Sequence, residues 1–242
     1  MKLDILAFGV HPDDVELGCG GVLVSEKKNG KHTGIIDLTQ GELGSRGTAA
    51  TRKEEAAAAG EILGVDAREN LLLADGFFEN NEASQRKVIE VIRKYRPEIV
   101  ICNAPEDRHP DHGRSAALIY DAAFLSGLVK IETHADGAPQ HQWRPKYVLN
   151  YIQDRYLKPD FVVDISDSFD KKLESVRAYK TQFYNPEEKG PETYISSPEF
   201  LEGVIARAAM FGKMIGVKYA EGFVTTKIIG IRDLDALIKK DT

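Results

Sequence analysis

Residues Leu3–Glu16 read Leu-Asp-Ile-Leu-Ala-Phe-Gly-Val-His-Pro-Asp-Asp-Val-Glu: an apolar run, a sharp polar turn and the first turn of a helical pattern. The run Leu3–Val10 has the length and apolar continuity of a strand buried on both faces. A helix is expected from Val15 to Lys28. The same alternation recurs along the chain, with strands expected at Gly34–Thr39, Asn70–Leu73 and Glu98–Asn103. Helices are expected at Thr51–Leu63, closed by Gly64, at Glu82–Tyr95, ended by Pro97, and at Gly113–Leu125. This order predicts a single α/β domain over residues 1–242. It is a Rossmann-like three-layer sandwich, with a mostly parallel sheet and helices on both faces. The second half is less regular. Strands are expected at Lys146–Ile152, Phe161–Ile165 and Phe223–Ile229, and a helix at Ser168–Tyr179. A last helix opens at Ser197-Pro198, an N-cap followed by proline at the first helical position, and runs to about Gly216. Asn185–Pro198 reads as a mobile loop.

The chain has 242 residues, 42% of them hydrophobic, and a formal charge of −6. That size buries a core without staples. Cys19 and Cys102 are too few for a disulfide framework and read as buried, reduced thiols in a cytoplasmic protein. No run reaches membrane-span length, and the N-terminal apolar stretch is too short for a secretion signal. Charges of both signs are interspersed with no basic stripe, which argues against nucleic acid and for a small-molecule partner.

His-Pro-Asp occurs twice, as His11-Pro12-Asp13 and His109-Pro110-Asp111, each just past the carboxyl end of an expected strand. In an open α/β sheet, ligands bind outside those ends, where the strand order reverses. In the common order 3-2-1-4-5 the first and fourth strands are neighbours, so the two segments meet in one crevice. His11, Asp14 and His112 then form a set of two imidazoles and one carboxylate with an open position, suited to catalytic zinc. Asp13 is left as general base for a water whose pKa a metal lowers toward ~7. His109 can protonate a leaving nitrogen or stabilise an oxyanion. Asp111 can fix an imidazole tautomer. Glu42, Arg46 and Arg52 follow the second strand at the same edge. Arg52 opens a helix, where an acid suits the dipole better, so it is expected to face a charged substrate group or a site carboxylate. Arg108 can clamp a substrate carboxylate or pair with Asp107 or Glu106.

At these residues the chain resembles the LmbE-like, or PIG-L, zinc N-deacetylases. Their signature is a strand followed by His-Pro-Asp-Asp-x-Glu, here His11-Pro12-Asp13-Asp14-Val15-Glu16, and a later His-x-Asp-His, here His109-Pro110-Asp111-His112. Gly41–Gly47, Thr51–Ala56, Glu106–His109, Lys158–Asp160 and the stretch from Ala206 to Phe223 resemble the bacillithiol-biosynthesis branch. The resemblance implies removal of acetate from N-acetylglucosaminyl-malate by a zinc enzyme, with iron(II) as a possible native metal. It implies His11, Asp14 and His112 as ligands, Asp13 as base, His109 at the oxyanion or leaving group, and Arg52 at the active site. It also implies a homo-oligomer, commonly a hexamer. Some relatives carry a mobile active-site tyrosine; the resemblance sets Phe200 at that position, with Tyr194 nearby.

Three other readings compete. Diacetylchitobiose or another N-acetylglucosaminide is an alternative substrate. A dinucleotide-binding oxidoreductase is favoured by the early strand-turn-helix and Asp37. Its first turn, however, lacks Gly-x-Gly-x-x-Gly, and two carboxylates there would repel a pyrophosphate. Two histidines and a carboxylate also suit a ferrous oxygenase.

Overall fold

The computed structural model describes residues 1–135, 137–231 and 233–237. The elements run β1 (Ile5–Gly9), α1 (Asp14–Lys28), β2 (Thr33–Asp37), α2 (Ala49–Leu63), β3 (Ala67–Asn70), α3 (Glu82–Tyr95), β4 (Ile99–Cys102) and α4 (Pro110–Leu125). The short strands β5 (His134–Ala135) and β6 (Ala138–Pro139) form a small hairpin. Then come β7 (Tyr147–Tyr151), β8 (Phe161–Asp164), α5 (Phe169–Arg177), α6 (Pro198–Met214) and β9 (Ala220–Val224).

The seven-stranded sheet has the order β3-β2-β1-β4-β7-β9-β8. The first five strands are parallel, and β9 runs antiparallel to both β7 and β8. The expected 3-2-1-4 order and mostly parallel α/β sandwich are therefore present. Alternation along β1 sends Leu6 and Phe8 into the layer under α3 and α4, and Ile5 and Ala7 into the layer under α1 and α5.

Two strands lie elsewhere than expected. The third spans Ala67–Asn70, because the apolar residues that marked it, Leu71 and Leu73, sit just past its end and cover the core from a loop. The last spans Ala220–Val224 rather than Phe223–Ile229; Ile228 and Ile229 lie beyond it at the surface. The fourth helix begins three residues before Gly113, which places Asp111 and His112 inside its first turn.

Helix α1 is broken at Cys19, whose φ of −144° and ψ of 17° are not helical. The buried Lys172–Glu221 pair closes both sides of the break. Lys172 Nζ donates to the freed carbonyl of Leu17 at 2.9 Å. Glu221 accepts from the amides of Gly21, at 3.0 Å, and Val22, at 2.7 Å. A side chain at Gly18 would enter the Tyr151 ring, so only glycine lets this segment approach the sheet.

Candidate metal centre

Five strand ends converge on one cleft of about 330 Å³, the loop after β2 lining it with Leu43 and Arg46. The turn after β1 supplies His11, Asp13 and Asp14. The loop after β3 supplies Asp75, the loop after β4 and the start of α4 supply His109 and His112, and the end of β7 leads into Gln153 and Asp154.

His11, Asp14 and His112 bring their ligand atoms within 4.8 Å of one another. Asp14 Oδ2 lies 3.6 Å from His11 Nδ1, and Oδ1 lies 3.3 Å from His112 Nε2. The remote nitrogen of each imidazole meets a separate carboxylate, His11 Nε2 with Asp75 at 3.0 Å and His112 Nδ1 with Asp107 at 2.7 Å. Carboxylates behind imidazoles fix the tautomer and turn the near nitrogens toward a shared point, the arrangement a divalent cation requires. Asp14 is further held by the amides of Val10 and His11, both at 3.0 Å, by Asn103 at 3.1 Å and by Gln153 at 2.7 Å. His11, His109 and Asp111 also lie within 4.8 Å, but His11 Nε2, on that side, is engaged by Asp75.

The electrostatics suit a cation. Burial opposes charge on His11, yet Asp14 and Asp75 outweigh it and lift the pKa from 6.5 to about 9. Burial likewise opposes charge on His112, and Asp14 and Asp107 lift it to about 10. Burial raises the Asp14 carboxyl, but the attraction of His112 and the hydrogen bonds from both imidazoles hold it well below the usual range. The carboxylates thus draw positive charge to the centre of the set, as protons on the imidazoles or as a shared ion.

Asp13 is buried with φ 129° and ψ −25°, a conformation costly for any residue but glycine. Burial lifts its pKa to about 7, against the attraction of Arg52, which contacts Oδ2 at 2.6 Å. Arg52 thus faces a site carboxylate, one of its two expected partners. A side chain at Gly41 (φ 65°) would overlap the Arg52 guanidinium, so glycine is needed there. His109 caps α4, its Nδ1 accepting the Asp111 amide at 3.3 Å. Burial and repulsion by the other two imidazoles lower its pKa, which favours the neutral ring with its proton on Nε2.

The other expected residues stand around these groups. Asp111 approaches an imidazole only at the edge of contact. It accepts from the Gly76 amide at 2.9 Å and Arg114 at 2.7 Å, 3.9 Å from His11 Nε2, because its place in the first turn of α4 directs it to the β3 loop. Arg108 pairs with Asp154, at 2.9 Å, rather than with Asp107 or Glu106. Asp107 instead faces His112. Glu42 accepts the Asp75 amide at 2.9 Å, steadying that loop. Arg46 donates to the carbonyls of Thr181, at 2.6 Å, and Pro191, at 3.0 Å, tying down the loop that walls the cleft. Asp37, the residue that favoured a dinucleotide, is held bidentately by Arg68 at 2.8 and 2.9 Å. Tyr194 lies on the cleft wall. Its hydroxyl donates to Asp154 at 3.1 Å, and its ring stands 5.5 Å from that of Phe200. Cys19 and Cys102 are buried and unpaired, and burial raises both thiols.

Asp75, Asn103 and Gln153 were missed. Each follows a parallel strand at its carboxyl end, so the rule that located the two His-Pro-Asp segments also points to Asn103 at the end of β4, and to Asp75 and Gln153 once β3 and β7 are treated like β1 and β4.

A family model described as PIG-L, GlcNAc-PI de-N-acetylase, matches residues 6–123. The diacetylchitobiose deacetylase of Thermococcus kodakarensis is 31% identical over 90% of this chain and 81% of its own length. The 1D-myo-inositol 2-acetamido-2-deoxy-alpha-D-glucopyranoside deacetylase of Corynebacterium efficiens is 24% identical over 75% of this chain and 73% of its own. A conserved protein from Thermus thermophilus, known by its crystal structure, superposes with a TM-score of 0.84 at 35% identity, covering 95% of this chain and 98% of that one.

Proposed function

The chain belongs to the PIG-L family of de-N-acetylases, and on that premise we propose that it removes the acetyl group from an N-acetylglucosamine derivative in a metal-dependent hydrolysis. The proposed substrate is N-acetyl-α-D-glucosaminyl L-malate, and the step serves bacillithiol synthesis. The observation that carries the hydrolase reading is the set His11, Asp14 and His112, with a carboxylate behind each imidazole and Asp13 beside it.

These three residues would hold the ion, and zinc suits a donor set of two nitrogens and one oxygen, as iron(II) also can. When bound, it supplies Lewis acidity toward a water and the amide carbonyl. Asp13 takes the proton of the attacking water. A pKa of about 7 leaves it a substantial ionised fraction near neutrality while keeping it basic enough to accept. His109, neutral with its proton on Nε2, donates a hydrogen bond to the oxygen that gains charge as the carbonyl carbon turns tetrahedral. Asp13, now protonated, returns its proton to the departing nitrogen as the C–N bond breaks, leaving acetate and the free amine. Arg52 keeps Asp13 in place throughout. Tyr194 is the candidate for the mobile tyrosine, since its ring is exposed on the cleft wall.

Among the described residues no helix is long and apolar enough to cross a membrane. Assembly into a homo-oligomer such as a hexamer is part of the same proposal. Metal analysis together with acetate release from a panel of N-acetylglucosaminides tests the reading. Hydrolysis of diacetylchitobiose in preference to the malyl glycoside would reassign the aglycone. Absence of acetate from every member, with metal bound, would remove the hydrolase.

A further inference from the structure

A second chamber, of about 590 Å³, adjoins the metal cleft. The two share Asp154, Tyr194 and Phe200 as a common wall. On its other side the chamber is lined by Tyr156, Glu199 and Arg207. Among the described residues, Arg207 is the one half-buried or buried arginine without a protein acceptor. The others so placed are committed: Arg46 to loop carbonyls, Arg52 to Asp13, Arg68 to Asp37 and Glu16, Arg93 to the carbonyls of Ser126 and Leu128, and Arg114 to Asp111.

The acids that attract Arg207 electrostatically are Asp154, Asp107 and Glu221, and each already has partners. Asp154 receives Arg108 and Tyr194, Asp107 receives His112 and the Arg155 amide, and Glu221 receives Lys172 and two helix amides. Burial lowers the pKa of Arg207, and the pull of Asp154 offsets only part of this. A guanidinium carries five donors and stays charged, so leaving it half-buried and unmatched is costly unless an anion comes to it. Glu199 is the counter-charge in the chamber. It lies eight residues earlier on α6, about 12 Å away at 1.5 Å per helical residue, and marks the opposite end.

We propose that this chamber is an aglycone subsite in which Arg207 binds a carboxylate carried by the substrate on the far side of its glycosidic bond. The proposal rests on the deacetylase reading above and adds to it the specificity-determining residue. The acetamido group sits at the metal ligands, and the sugar lies against the Tyr194–Phe200 wall. The aglycone passes Asp154 into the chamber, where a planar carboxylate takes two parallel hydrogen bonds from the guanidinium. The aromatic side chains Tyr156 and Tyr194 supply the apolar surface on either side.

Two substrates separate this from the parent reading: neutral methyl N-acetyl-α-glucosaminide and the malyl N-acetylglucosaminide, each assayed with wild type, Arg207→Gln and Arg207→Lys. Arg207→Gln is expected to raise KM for the malyl compound at least tenfold while changing kcat/KM for the methyl compound less than twofold. Arg207→Lys should recover part of the loss. Binding of L-malate to the metal-loaded protein, followed by calorimetry, should weaken in Arg207→Gln to the same degree. Equal losses on both glycosides would make Arg207 a structural residue, and unchanged KM on both would empty the chamber of its role; either overturns the proposal. If wild type releases acetate from neither glycoside, the deacetylase reading fails, and the calorimetric comparison alone decides whether the chamber binds a dicarboxylate.

Discussion

One Nη2 atom of Arg52 donates both to Asp13 Oδ2, at 2.6 Å, and to the carbonyl of Pro12, at 2.9 Å. That double contact clamps a residue whose backbone would otherwise relax from its positive φ. It also holds the Asp13 pKa below where burial alone would put it. Arg52→Gln is expected to move the acid limb of the kcat/KM profile to higher pH. The rate at pH 7 should then fall about tenfold for every pH unit by which the limb moves. Arg52→Lys should restore part of both. An unmoved acid limb would detach Arg52 from the base.

Asp13→Asn keeps the shape and removes the basic oxygen. Turnover should fall by roughly 10²–10⁴-fold, the usual worth of a general base. Metal content, read by atomic absorption, should stay at the wild-type level, because Asp13 is outside the ligand set. Loss of metal in this variant would move Asp13 into that set.

Asp75 and Asp107 act through the imidazoles they hold. Asp75→Asn and Asp107→Asn should each weaken metal affinity by roughly 10–100-fold in a chelator competition, with ligand stoichiometry unchanged. His112→Ala should abolish binding altogether. A variant lacking Asp107 that binds as tightly as wild type would separate the second carboxylate from the metal site.

In the metal-free protein His11 titrates near 9 and His112 near 10, both above 6.5. Raised imidazole pKa values stabilise the folded metal-free protein fully below pH 6.5, and that stabilisation disappears as pH rises through 9 to 10. An incoming ion must displace these protons, so its apparent affinity should strengthen steadily from pH 6 to 9. Titration calorimetry at pH 7 in buffers of different ionisation enthalpy should register about two protons released per ion. Affinity independent of pH over this range would mean that the imidazoles are not protonated without metal.

Gly18 lies against the Tyr151 ring, whose hydroxyl donates to the Phe8 carbonyl at 3.2 Å. Gly18→Ala forces a methyl group into that ring and should cost about 1–3 kcal/mol as overpacking. A denaturant midpoint equal to wild type would show that the interior gives way at no cost.

The parallel half of the fold was legible because its cues are local. A buried strand, a polar turn and an amphipathic helix repeat, and Glu82–Tyr95 matches its expected bounds residue for residue. The paired His-Pro-Asp segments were legible because topology alone brings them together. Asp75 was hidden because its strand was drawn three residues late, over Asn70–Leu73, whose Leu71 and Leu73 pack on the core from a loop. Asp107 meets His112 from the loop ahead of α4, where no helical spacing announces the contact. The late strand β9 was misplaced because its flanking apolar residues Ile228 and Ile229 are exposed and carry no periodic signal.

The break in α1 has a consequence for the order in which the molecule can be completed. Asp14 sits on the short leading segment of that helix, and the next segment is capped by Glu221, a residue delivered by β9, 200 positions after Gly21. A nascent polypeptide can therefore assemble strands one to four and still lack the group that seats its first helix. Seating the segment that follows Asp14 therefore depends on β9 taking its place between β7 and β8, so a change confined to that distant strand can reach the site through α1.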